Sequence, residues 1–269
     1  MKKTLTLIIM TILVATTCIL PAFANSPSLT VNLRIEGKNG NLFYDEITTN
    51  NSANYNIINI LMLADSQSEY MTIEGLSMGY ITAINSEKIG QTESGLDTYN
   101  IRVNGEYVPF ANAASYPLKN GDEILVYYGE EFGDGVMFPI VDTAKIEEGY
   151  IKFMCEVPSE DGKSTTVKAI SGAAVTWYCD DVPFSYTTDG RGGIYIEKSA
   201  LTSGSHRIAL DLYREDGTPL VLRLAPDYTV NVPVGIGDSF AVYVCAAVAI
   251  ASLGAIVIIA LSIKRSRER

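Results

Sequence analysis

The sequence predicts an α+β (β-grasp-like) N-terminal module, then an all-β sandwich of Ig-like type, then a C-terminal transmembrane helix. Three observations predict this order. Residues 29–129 alternate like strands but contain one window of helical period. Residues 137–232 hold only short alternating runs separated by turn residues. Residues 240–263 are 24 positions without a charge. Alternation at period 2 marks half-buried strands, and a period near 3.6 marks an amphipathic helix.

The first module opens with Leu29–Glu36, where Leu29, Val31, Leu33 and Ile35 share one face. Leu42–Thr48 is its hairpin partner across the Gly37–Asn41 turn. The period then changes over 55–64, and Ile57, Ile60, Leu61 and Ala64 fall on one helical face, with Asn54 as the N-cap. Met71–Ile73 and Tyr80–Ile84 are short strands around Gly75 and Gly79. Tyr99–Val103 runs into Asn104-Gly105, a strong two-residue hairpin signal, and Glu106–Val108 returns. Glu123–Tyr128 is the last strand, after the Lys119–Asp122 turn. A helix laid on one face of such a sheet gives the α+β class.

A Gly-rich acidic stretch, 130–136, separates the modules. Glu130, Glu131 and Asp134 are oxygen donors within it, but their spacing does not fit a calcium loop, so it reads as a solvated linker. In the second module Tyr150–Val157, Ala173–Cys179, Ile194–Ile196, His206–Leu212, Leu220–Leu224 and Tyr228–Val232 read as strands. Short strands at regular spacing indicate a sandwich.

The ends carry address signals. Lys2 and Lys3 precede an apolar run over Leu5–Leu20, and Pro21-Ala22-Phe23-Ala24 is a small-x-small site. This is a secretory leader over 1–24, cleaved between Ala24 and Asn25. Acylation at Cys18 is the competing reading, with Thr17 preceding it where a smaller residue is expected. Phe240–Ile263 as a helix would span roughly 36 Å, enough for a bilayer. Four cations in 264–269 mark its cytoplasmic side. The expectation is a single-pass membrane protein with its N-terminus outside, residues 233–239 serving as the juxtamembrane linker.

Formal net charge is −11. Six of the 20 cations and one of the 31 anions lie in the two ends, so the segment between keeps 14 cations and 30 anions. That balance excludes a nucleic-acid partner, which requires clustered cations.

The stretches Gly79–Asn85 (GYITAIN), Thr98–Tyr107 (TYNIRVNGEY) and Leu118–Gly129 (LKNGDEILVYYG) resemble the transcobalamin-like C-terminal domain family. The resemblance covers about residues 29–129, within a domain over 25–129, and implies a ligand-approaching hairpin at Tyr99, Asn100 and Ile101, with cobalamin, the ligand of that family's vitamin carriers, as the implied cofactor. Ala174–Ile196 and Leu201–Leu210 resemble the Ig-like or prealbumin-like stalk modules of Gram-positive surface proteins. Val232–Ser239 is similar to a sortase sorting signal, although Ile236 occupies the place of the acylated Thr. A retained membrane anchor is the preferred reading.

Cys155 and Cys179 face inward on separate strands, so a disulfide between them and two buried free thiols both remain open. His206 is the lone His, and no nucleophile motif accompanies it. Asp180 and Asp181, read as adjacent strand residues, would point to opposite faces and form no acid/base dyad. The chain is therefore expected not to be an enzyme and to hold no metal. Its expected role is a non-catalytic, membrane-tethered surface protein for binding or adhesion to an unknown extracellular partner. The alternative is a surface receptor capturing a corrinoid or a related small ligand.

Overall fold

The computed structural model describes residues 28–50, 55–92, 95–130, 135–158 and 165–233. The chain divides into two compact units, Met1–Glu131 and Phe132–Arg269. Each has its own apolar core.

In the first unit β1 (Leu29–Glu36) and β2 (Asn41–Thr49) form an antiparallel hairpin. Leu29, Val31, Leu33 and Ile35 are buried in the core, while Asn32 between them is exposed. Helix α1 (Ile57–Gln67) follows. Its first turn is capped by Asn56, whose Oδ1 accepts from the Asn59 N–H at 3.0 Å. The cap therefore sits two residues beyond the expected Asn54, which lies outside the described residues. Ile57, Ile60, Leu61 and Ala64 are buried against the sheet residues, each large side chain contributing about 1.5–3 kcal/mol of burial.

A small three-stranded sheet comes next, built from β3 (Ile73–Glu74), β4 (Ala83–Ile84) and β5 (Glu87–Lys88). The chain then enters β6 (Asp97–Val103), β7 (Glu106–Val108), the four-residue helix α2 (Phe110–Ala113) and β8 (Glu123–Glu130). Strand order in the main sheet is β2-β1-β8-β6-β7. β8 runs parallel to β1 and antiparallel to β6. Asn104 (φ 51°) and Gly105 (φ 82°) form the β6–β7 turn. Positive φ at both central positions is what a type I′ hairpin needs.

The second unit consists of β9 (Pro139–Lys145), β10 (Tyr150–Pro158), β11 (Thr165–Ala169), β12 (Ala174–Cys179), β13 (Val182–Thr187), β14 (Gly193–Tyr195), β15 (Gly204–Asp211) and β16 (Thr229–Val232). One sheet has the order β11-β10-β14, with β9 on the other edge of β10. The second has the order β13-β12-β15-β16. Ile151 and Phe153 from the first meet Val175, Trp177, Ile208 and Leu210 from the second in one core. Trp177 is fully buried, and its Nε1–H donates to the Ala200 carbonyl at 2.9 Å.

The fold class expected from the sequence needs correction. The described residues are mainly β in both units, not an α+β module followed by a sandwich and a spanning helix. Helix amounts to the 11 residues of α1, the four of α2 and short 3₁₀ turns. Only the 57–67 window sustains a 3.6-residue period; elsewhere the alternation of β-branched and aromatic residues selects extended chain. Among the described residues no helix is long and apolar enough to cross a membrane. The expected leader, its Ala24–Asn25 cleavage site and the expected span at Phe240–Ile263 all lie outside the described residues.

Three smaller expectations also change. Leu220–Leu224 is not a strand; only single bridges, Met137 to Val221 and Tyr213 to Pro219, form there. Asp180 (φ 47°) and Asp181 (φ 62°) are not strand residues but the two-residue turn between β12 and β13. Asp tolerates left-handed backbone better than most residues, which lets it do the work of Asn-Gly. Strands β9, β11 and β13 were not expected. β11 is exposed along its whole length, so no buried face signals it.

Candidate functional site

β6 is seven residues long, but its edge partner β7 has only three. Their register pairs Ile101 with Val108, Arg102 with Tyr107 and Val103 with Glu106, and stops. Pro109 follows at once; it has no N–H to donate to a ladder, and α2 begins after it. Antiparallel strands alternate the side to which their backbone groups point. Val103 and Ile101 pair with β7, so Tyr99 turns its N–H and C=O to the same side, where β7 has ended. Asp97, the next on that side, is closed off by the Gly90 N–H, which donates to its carbonyl at 3.0 Å. A notch therefore opens in the sheet edge at Tyr99.

The notch is the floor of a cleft of about 130 Å³. Tyr80, Tyr107 and Phe110 flank it; Tyr80 and Tyr107 are each 45% exposed. The residues implied by the family resemblance, Tyr99, Asn100 and Ile101, all line this cleft. Their side chains are nonetheless buried. Tyr99 and Ile101 belong to the core, and Asn100 donates from Nδ2 to the Gly129 carbonyl at 3.4 Å. As whole residues they are 5% exposed or less, so they offer the cleft little surface. The accessible side chains come from Tyr80, Tyr107 and Phe110, which the sequence reading missed. Tyr80 and Tyr107 lie inside the quoted motifs, and Phe110 follows the strand-ending proline.

Two buried tyrosines support the floor. Tyr99 donates from its hydroxyl to Glu87 Oε2 at 3.3 Å. Burial first, and the Glu87 charge second, push the Tyr99 hydroxyl pKa far above its ordinary value. Glu87 in turn accepts from the backbone N–H groups of Lys38 (2.5 Å) and Asn39 (3.2 Å) in the β1–β2 turn. Tyr128 donates to Asp97 Oδ2. Asp97 also accepts from the Gln91 N–H at 2.9 Å, and from the Thr92 N–H at 2.9 Å and hydroxyl at 2.6 Å. Burial alone would raise the Asp97 pKa. The hydroxyls of Thr92 and Tyr128 and the two backbone donors outweigh it and hold the carboxyl well below the usual carboxylate range. The loop bordering the cleft is thus tied down by charge-assisted hydrogen bonds.

In the second unit Cys155 and Cys179 are both free and buried, so the bridge left open by the sequence is not formed. Cys155 lies on β10 in one sheet, with its Sγ 3.3 Å from Met137 Sδ. Cys179 ends β12 in the other sheet, with its Sγ 3.4 Å from Thr202 Oγ1. Inward orientation alone did not make them neighbours. Burial raises the Cys155 pKa, with Lys168 opposing, and a buried thiol of this kind is a poor nucleophile. His206 is buried and stacked on Trp177, with ring centroids 4.7 Å apart. Its Nε2 is 2.7 Å from the Thr202 carbonyl and its Nδ1 3.2 Å from that of Tyr178. Among the described residues no group of three or more His, Cys, Asp or Glu could hold a metal. Glu131 and Asp134 lie outside them.

No protein-family model matches the chain. No curated protein matches it. Among solved structures, the crystal structure of haptocorrin in complex with Cbi is similar with a TM-score of 0.32 and 20% identity over 43% of this chain. The chain spans 29% of that structure's length. A likeness of this degree is too slight to argue from.

Proposed function

We propose that the protein is a non-catalytic binding protein of the cell surface, and that it engages its partner at the Tyr99 notch. The observation that carries this reading is the interrupted edge of β6. By register, the Tyr99 N–H and C=O lie on the side of β6 that β7 leaves unpaired, beside a cleft flanked by the exposed Tyr80 and Tyr107. Such an edge accepts an extended chain by strand addition: backbone hydrogen bonds supply affinity, and pockets between the rings supply selectivity. Aromatic walls add large contact area at low entropic cost. The second unit serves as a spacer. Surface exposure is supported by the leader pattern in 1–24 and by the charge-free run at 240–263 with its basic flank.

Corrinoid capture is the second reading, supported by the resemblance at 98–107. At about 130 Å³ the cleft is smaller than the ~300–1,000 Å³ typical of small-ligand sites, so only the edge of a corrinoid would enter.

The test is selection of displayed peptides on the full-length protein, with cobalamin as a parallel probe in gel filtration. Selected peptides should lose binding to a Tyr80→Ala/Tyr107→Ala variant. Peptides that ignore this variant overturn the notch as the site, and co-elution of cobalamin colour would favour the corrinoid reading. Protease added to intact cells should digest residues 25–239; protection of that segment overturns the surface location.

A further inference from the structure

The outer face of the β9–β10–β14 sheet gathers cations in a chain whose net charge is −11. Lys145, Lys152 and Arg191 line a depression of about 340 Å³ together with Tyr150, Asp142 and Ala144. Two structural devices make it. The first is a bulge. Lys152 pairs with Asp142, but Tyr150 pairs with Lys145, so β9 spends three steps where β10 spends two. Without that extra residue Lys145 would face opposite to Asp142; with it, Lys145 joins Tyr150 and Lys152 on the outer face. The second is Gly193, which pairs with Lys152 on the other edge of β10. A Cβ there would lie 2.4 Å from the Tyr150 hydroxyl oxygen, so only glycine lets the ring lie across the strand. Arg191 projects from the adjoining turn, which Asp189 holds by accepting from the Arg191 and Gly193 N–H groups, each at 2.8 Å.

We propose that this depression binds a phosphate-class oxyanion. Two carboxylates stand against these cations: Asp142 lines the depression itself, and the Asp189 charge acts on Arg191 and Lys152. Both are occupied by backbone donors, the former by the Ala144 N–H at 2.9 Å. Among the described residues neither makes an ion pair within 4.0 Å with the three cations. Three cations against two carboxylates leave a positive balance at the depression. A guanidinium offers a planar fork matched to phosphate oxygens, and two ammonium groups add point charges from the other sides.

The test is calorimetric titration of the full-length protein with inorganic phosphate and with pyrophosphate, at low and high salt. Pyrophosphate should bind more tightly than phosphate, and both should weaken with salt. A Lys152→Gln/Arg191→Gln variant should lose about tenfold or more in affinity, as expected for removed charge-assisted contacts. Lys198→Gln, outside the depression, should bind like the parent. Emission of the single Trp, Trp177, reports whether the unit is folded. If the double variant perturbs it, Arg191→Gln alone, in an exposed turn, decides. Absence of saturable binding by the parent, or undiminished affinity in the variants, overturns the proposal.

Discussion

Tyr99 and Tyr128 stand directly opposite each other on β6 and β8, their rings edge to face with centroids 5.4 Å apart and planes at 75°. Each hydroxyl reaches a different carboxylate, Glu87 for Tyr99 and Asp97 for Tyr128. One aromatic pair thus fastens two loops to the sheet beneath the cleft. Edge-to-face pairs contribute about 0.5–1.5 kcal/mol beyond their burial.

Tyr128→Phe keeps the ring and removes one donor from Asp97. A loss of about 1–3 kcal/mol is expected, because a buried carboxylate is left short of a partner. Chemical denaturation of parent and variant measures it; equal midpoints would mean the hydroxyl contributes nothing.

The Asp97 carboxyl is held below its ordinary range in the folded chain. A depressed folded pKa stabilises above the unfolded value, near 3.9 for Asp, and that contribution fades as pH falls through the folded value. Asp97→Asn should therefore cost stability at neutral pH and progressively less below about pH 4. Thermal midpoints across an acid series would show the two curves converging.

Gly37 admits Glu87 to the β1–β2 turn. A Cβ on residue 37 would lie 2.3 Å from Glu87 Oε2 and 2.7 Å from Leu42 Cδ1. Gly37→Ala should cost about 1–3 kcal/mol through displaced side chains. It should also loosen the Tyr99 hydroxyl, detectable as faster exchange of that proton by NMR.

At the β12–β13 turn Asp181 holds φ 62°. Asp181→Gly should raise stability by about 0.5–1 kcal/mol, since glycine adopts this conformation without a steric penalty. A lower melting temperature would contradict it.

With both thiols free, adding a reductant should leave the unfolding midpoint unchanged. A bridge between Cys155 and Cys179 would instead have made the midpoint fall by the equivalent of about 3 kcal/mol.

Local pattern was enough to locate β1, whose alternating Leu29, Val31, Leu33 and Ile35 mark a buried face without help from any neighbour. It was enough for α1 as well, apart from its cap, and for the Asn104-Gly105 turn, where two positive φ values need these residue types. These features are decided within a few residues of chain. The parallel pairing of β1 with β8, the early end of β7 against a longer β6, and the exposed strand β11 depend on partners tens of residues away. So does the separation of Cys155 from Cys179: both point inward, yet sheet register seats them against Met137 and Thr202. The cleft shows the division most clearly. The family resemblance singled out Tyr99, Asn100 and Ile101, but the assembled sheet buries them and leaves the rings of Tyr80 and Tyr107 exposed at the cleft, because what a strand presents depends on which of its two edges finds a partner.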